Sequence, residues 1–477
     1  MPAPAVAAAP LVSPRVSRAI TILAAVVLLA FVALAMRLHS GESRLAAMAE
    51  PERALALLVG RTMDVETALT VAPRWERQLY AVTLNDAAHE LDQAITWYEE
   101  MADYSLAPAV DLRLAILRGE AGREQPLTRA LDQWEARGDP LRTYAGVIAA
   151  AYLDGDDVEA DDVAEVVGVL GPGWFADMLA LRLAARFDEE ALSAAARRSI
   201  AERAGPLLWR LRALTLTDLV LLVVGFLALR ALRRRPPQAR VAAAAPVPPP
   251  WPLGAGLATL VRGGAVSALA LVAMLAGSQW LAARPVLAEA LDAPIIYLPV
   301  VLLAWWRLLA PAGVGFTDVF GLRPRPGGWR PVVLTALMLV GAGVVIDAAL
   351  SLTTGWLDLD SHWTEWFDSD LAWGPKAAVA VTVLATVVLA PVFEEVIFRG
   401  LLYGSLRARL GVWPAVGLSA LVFALAHGYG TVGFASVFLS GALWAWSYER
   451  TRSLLPAIAA HMANNAAVAV TLIWLLR

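Results

Sequence analysis

The chain has 477 residues, 58% of them hydrophobic and only 17% charged, with a net charge of −4 and no cysteine. That composition belongs to a polytopic membrane protein and not to a soluble enzyme. It excludes disulfides, thiolate nucleophiles, cysteine metal sites and a lipid-bearing cysteine, and it offers no basic, aromatic-interleaved surface for nucleic acid.

Residues 1–39 hold Arg15 and Arg18 ahead of an apolar run over 19–35, long enough to cross a bilayer. Ala33-Leu34-Ala35 resembles a cleavage site, but the run is long for a signal core, so an uncleaved signal-anchor is expected. Residues 40–210 then carry 30 acidic and 17 basic side chains, a net of −13 against +9 for the rest. This block, 40–212, is rich in alanine, leucine, glutamate and arginine, and reads as helical. Leu91-x-x-Ala94-Ile95-x-x-Tyr98 and Leu127-x-x-Ala130-Leu131-x-x-Trp134 have helical apolar spacing. They suggest a helical-repeat or helical-hairpin array without a full repeat signature. The block is read either as a module for a protein partner or as a spacer. Its acidic cluster, Asp154 to Asp162, lacks the glycine and final glutamate of a calcium-binding EF-hand loop.

A second span is expected over 213–232, ending in three arginines. Residues 233–252 form an Arg- and Pro-rich linker, read as extended, semi-rigid and unfolded. Seven more spans follow within 253–477, at roughly 264–283, 294–310, 331–352, 376–409, 412–427, 431–449 and 454–476. The fold class is therefore all-α: about nine transmembrane helices with an extracytoplasmic helical domain. Arginines gather at alternate span ends, which puts the N-terminus in the cytoplasm and 40–212 outside. The Arg-rich, Ala-rich composition points to a bacterial plasma membrane. The outer loop 352–375 has five acidic residues and no basic one, and its four tryptophans suit a membrane-interface segment.

The last four spans hold three polar patterns: Glu394-Glu395-x-x-x-Arg399, Phe423-x-x-x-His427 and His461-x-x-x-Asn465. Ionisable groups at membrane depth are costly and mark functional sites. If one long helix runs from about Lys376 to Arg409, the turn at Leu410-Gly411 leaves Glu394 and His427 each about 24 Å from it, at one depth. Pro391 and Gly400 are possible kink sites. Glu395 and Arg399 lie four apart and can pair; one arginine cannot neutralise two glutamates, so Glu394 is left to face a cavity. A glutamate with a histidine can activate water, and a histidine with an asparagine on one helix face can bind an oxyanion. Phe423 is read as packing.

In order and spacing the three patterns resemble the CAAX protease and bacteriocin-processing family (CPBP, or Abi) of intramembrane proteases, which includes the type II CAAX prenyl endopeptidases. Phe320-Gly321-Leu322-Arg323 also looks like a family segment. The resemblance covers about 253–477. It implies an endopeptidase in which Glu394 and His427 activate water, His461 and Asn465 bind the oxyanion, and Arg399 holds the helix bearing Glu394 and Glu395. The substrate would be a membrane-associated protein or peptide at the lipid bilayer; a prenylated one is not implied. No cofactor is expected. Zinc on Glu394, His427 and His461 is the alternative, although no His-Glu-x-x-His pattern is present. Rival functions are a non-catalytic scaffold or immunity protein, and a proton-coupled transporter, which would be expected to show internal repeats of its spans.

Overall fold

The computed structural model describes residues 13–38, 43–46, 48–83, 87–153, 155–277, 285–357 and 359–477. Among them every regular element is helical. The chain divides into two units, one of residues 1–40 and 216–473 and one of 41–215 and 474–477.

The first unit is built on long apolar helices, labelled here α1 (Pro14–Leu38), α2 (Glu190–Arg233, of which 216–233 belong to this unit), α3 (Leu253–Ala276), α4 (Val286–Ala312), α5 (Trp329–Leu357), α6 (Lys376–Leu410), α7 (Val412–His427), α8 (Thr431–Thr451) and α9 (Leu455–Leu476). Among the described residues seven of these are long and apolar enough to cross a membrane. The expected seventh and eighth spans, 412–427 and 431–449, differ. α7 has 16 residues, a short apolar helix. α8 has 21, but Ser436, Ser440, Ser447, Glu449 and Arg450 dilute its apolar content. The span expected at 264–283 begins instead at Leu253, directly after Pro252, because its glycine- and alanine-rich first turns are helical yet weakly hydrophobic; residues 278–284 lie outside the described residues. Large apolar side chains remain exposed along these helices, such as Leu23, Leu29 and Phe226, as lipid-facing surfaces require.

Small residues set the closest crossings. A Cβ on Gly225 of α2 would stand 2.7 Å from Gly341 Cα of α5, so only glycine permits that backbone approach. The segment 241–251 is extended, as expected, but it is not a free linker. Ala242, Ala243, Ala245, Val247 and Trp251 are buried. The Ala242 N–H donates to Thr451 O (2.8 Å), and the Ala242 carbonyl accepts from Arg325 N (3.0 Å). The arginine and proline content hid this, because the short alanine and valine side chains do the packing.

The second unit is a helical array: Pro51–Thr70, Arg74–Thr83, Ala87–Tyr104, Pro108–Glu120, Glu124–Arg137, Leu141–Tyr152, Ala160–Leu170, Trp174–Phe187 and the first part of α2. Ala94, Ile95, Tyr98, Leu127, Leu131 and Trp134 are all buried, which accounts for their spacing. Buried acids are paired: Arg203 bridges Asp64 (2.9 Å) and Asp177 (2.6 Å), and Arg212 Nε and Nη2 donate to the two oxygens of Glu76. Of the acidic cluster, Asp154 lies outside the described residues, and Asp161 and Asp162 occupy the first turn of Ala160–Leu170, where the helix dipole favours them.

Candidate active site

α6 runs unbroken from Lys376 to Leu410, and Gly411 (φ 75°) makes the turn into α7. Within α6, π-helical stretches at Leu384–Leu389 and Glu395–Tyr403 flank the turn Ala390–Glu394. π-turns gather at functional sites, and Pro391 shows why one is here. The Ala390 N–H bonds five residues back, to Ala385 O. The Thr386 carbonyl thus loses its usual partner, and the next donor along would be residue 391, a proline without an N–H. Its donor comes from α9: Asn465 Nδ2 donates to Thr386 O at 2.9 Å. A helix carbonyl at membrane depth needs a donor, and Asn465 supplies one.

The carboxylate pair divides as its spacing requires. Glu395 and Arg399 are fully buried, with Arg399 Nη1 3.0 Å from Glu395 Oε1. The guanidinium carbon lies 4.0 Å from the Phe423 ring centroid and 5.1 Å from that of Trp444, so aromatic faces supplement a single carboxylate. Gly441 makes room, since a Cβ there would be 3.0 Å from Arg399 Nη2. Glu394 instead faces two other helices. Its Oε1 accepts from Tyr297 Oη of α4 at 2.5 Å, and its Oε2 lies 3.7 Å from His461 Nε2 of α9. His461 Nδ1 is 3.1 Å from Glu395 Oε1. His461 is thus buried between both carboxylates, and its ring stacks on Trp444 at 4.2 Å.

The Phe320-Gly321 turn fixes the depth of His461. Phe320 is buried against Gly400 of α6, where a Cβ would be 2.5 Å from its ring. The Phe320 carbonyl accepts from Leu454 N, and the Gly321 carbonyl from Ser453 Oγ (2.6 Å), at the start of α9. Gly321 itself has φ 64°, and Arg452 O stands where a Cβ would have to go. One turn therefore ties the back of the Glu-bearing helix to the foot of the His-bearing one.

His427 closes α7. Its Nδ1 is 2.8 Å from Phe423 O, and its ring packs on Phe423 and Tyr429. Phe423 also meets His461 edge-on at 6.0 Å, so one ring separates the two histidines. Among the described residues His427 makes no hydrogen bond or ion pair with Glu394, and no three His, Asp or Glu side chains are arranged to hold a metal ion. The loop after α5 folds near this turn: Glu365 Oε1 lies 2.7 Å from where a Cβ on Gly430 would be. Burial, with Glu394 and Glu365 nearby, raises the Tyr429 phenol above its ordinary value and keeps it a hydrogen-bond donor. Of the loop tryptophans, Trp363 is buried against Phe367 and not at a lipid interface, while Trp356 is exposed.

Sequence reading missed Tyr297, Trp444 and Thr386. A lone phenol in an apolar span between Pro294 and Pro299 was the available signal for Tyr297; nothing in the sequence marks a backbone carbonyl such as that of Thr386.

These features define a polytopic α-helical membrane protein with a Glu-Glu-Arg-His cluster carried on α6 and α9 and enclosed by Tyr297 of α4 and Trp444 of α8. Residues 376–467 match the model of the family described as type II CAAX prenyl endopeptidase Rce1-like. The chain is also similar to a protein named "Putative membrane peptidase YdiL" of Bacillus subtilis (strain 168), 27% identical over 100 residues. That match covers 20% of this chain and 38% of the relative's length. No solved structure matches the chain.

Proposed function

We propose that the chain is an intramembrane endopeptidase that hydrolyses peptide bonds of a membrane-associated protein. The observation that carries this reading is Glu394, held at membrane depth between Tyr297 Oη and His461 Nε2; the Rce1-like match supports it. We assign the water beside Glu394 to His461, and not to His427 as expected, because His461 is the nearer histidine: a water about 2.8 Å from each of Glu394 Oε2 and His461 Nε2 would donate one hydrogen to each. Glu395 on Nδ1 favours the tautomer with Nε2 as acceptor. Glu394 takes the proton as the water oxygen attacks the peptide carbon. The carbonyl oxygen becomes an oxyanion, and the C–N bond breaks once the amine nitrogen is protonated.

Asn465 uses one amide hydrogen on Thr386 O and has a second for the oxyanion. His427, its Nδ1–H donating to Phe423 O, has Nε2 free to accept the proton from Glu394 through water and hand it to the leaving amine, which returns both groups to their starting states. Tyr297 is a positioning residue for Glu394, and Glu395 and Arg399 position the helix. The reaction is read as metal-free, with zinc on Glu394, His427 and His461 as the alternative. Residues 253–477 form the catalytic portion, in a bacterial inner membrane with the N-terminus cytoplasmic and 40–212 outside.

The test is a comparison of peptide termini in cells holding wild-type protein or Glu394→Gln at matched membrane abundance. Termini lost in Glu394→Gln and in His427→Ala support hydrolysis and identify the substrate. An unchanged set of termini overturns it in favour of a scaffold or transporter.

A further inference from the structure

Arg18 near the N-terminal end of α1, Arg262 in the N-terminal half of α3 and Arg307 near the C-terminal end of α4 have no part in the site above. Arg18, Arg262 and Arg307 line one cavity of about 600 Å³, together with Ser17, Thr21 and Thr259. Arg262 is the tenth residue of α3, well within a candidate span. Its Nε donates to Thr21 Oγ1 (3.1 Å), and its Nη2 to Ser17 O (2.5 Å), Ser17 Oγ (2.9 Å) and Thr21 Oγ1 (2.7 Å). These neutral partners orient the guanidinium without cancelling its charge. No carboxylate lines the cavity, and among the described residues none of the three arginines pairs with one. Three like charges facing one partly desolvated space repel each other, and a charge held at membrane depth calls for a counter-ion.

The surroundings identify the source of that counter-ion. Ile22 lines the same cavity and is largely exposed, as are Trp305 and Trp306 beside Arg307, with the Arg307 guanidinium 5.5 Å from the Trp306 ring. Tryptophans mark headgroup depth, and apolar side chains below them suit acyl chains. Basic pockets between transmembrane helices take anionic headgroups.

We propose that this cavity binds the phosphate group of an anionic phospholipid, from the arginine-rich leaflet, against Arg18, Arg262 and Arg307. Arg262 is pre-oriented by Ser17 and Thr21, so the lipid joins α1 to α3 and α4. The proposal is independent of the peptidase reading.

The test is native mass spectrometry of the full-length protein in detergent, titrated with phosphatidylglycerol and with phosphatidylcholine. Wild-type protein is expected to retain phosphatidylglycerol preferentially. Arg18→Gln/Arg307→Gln, which leaves Arg262 and its structural bonds in place, is expected to weaken that retention on the order of 30-fold. Arg234→Gln/Arg409→Gln, matched in charge and distant in sequence from the cavity, is expected to retain the lipid as wild type does. Equal retention of both lipids, or equal loss in both double variants, overturns the proposal. Displacement of phosphatidylglycerol by an equal concentration of inorganic phosphate overturns the lipid assignment and leaves a free-anion site.

Discussion

Tyr297 and Glu394 meet at 2.5 Å across two helices, a phenol O–H donating to one oxygen of the carboxylate and leaving the other toward His461. A hydrogen bond to an ionised acceptor is worth more than a neutral one. Tyr297→Phe keeps the ring's stacking on Phe393 and removes only that donor. It is expected to lower kcat by about 10- to 100-fold with KM little changed, measured as initial rates in liposomes. A change confined to KM would assign Tyr297 to substrate binding.

Asn465 has two separable tasks, and Pro391 distinguishes them. Asn465→Ala orphans the Thr386 carbonyl, and Pro391→Ala restores a backbone N–H for it. The double variant is expected to recover the thermal stability lost in Asn465→Ala, about 1–3 kcal/mol, without recovering activity. Recovery of both would reduce Asn465 to a structural role.

The buried pair is expected to tolerate joint replacement better than single loss. Arg399→Met leaves the fully buried Glu395 without its cationic partner, a cost of about 3–5 kcal/mol. Glu395→Gln/Arg399→Met removes both charges and is expected to fold in detergent where Arg399→Met does not, as read by size-exclusion profiles and melting curves.

In the second unit, the hydrogen bonds from Arg212 hold the Glu76 carboxyl below its usual value of 4.5, against an opposing push from burial. A depressed folded pKa means that the unfolded chain binds more protons in that window, so stability rises with pH across it. The contribution is complete above about pH 4.5 and is lost as pH falls through the folded value. Glu76→Gln is expected to flatten the acid limb of the melting temperature between pH 3 and 5, on the order of one titrating group.

The metal-free reading has its own check. Incubation with 1,10-phenanthroline or EDTA is expected to leave cleavage within about twofold, because a glutamate general base needs no Lewis acid. Loss on chelation and return with zinc would favour Glu394, His427 and His461 as ligands.

Much of this was legible in the sequence because hydrophobic runs, arginine bias and a few isolated polar residues are strong signals in a membrane protein. The Glu395–Arg399 pair followed from i,i+4 spacing, and the Leu410-Gly411 turn from one glycine. What was not legible is tertiary. That His461 lies between two carboxylates depends on the Phe320-Gly321 turn, 140 residues away in sequence. The Asn465–Thr386 bond depends on a π-turn of which Pro391, read only as a kink site, was the one sign. α8 fell short as an apolar span because its serines, Glu449 and Arg450 dilute it, and its Gly441 serves packing around Arg399 and Phe423.

The most direct measurement is the cleavage rate of purified wild-type and Glu394→Gln protein, reconstituted in liposomes, on a substrate found by the termini comparison. Glu394→Gln is nearly isosteric, still accepts from Tyr297 and cannot take a proton at that carboxylate. A loss of about 10²- to 10⁴-fold, with unchanged melting temperature, is the result expected for a general base. A rate within tenfold of wild type would contradict the role assigned to Glu394 and, with it, the proposed chemistry.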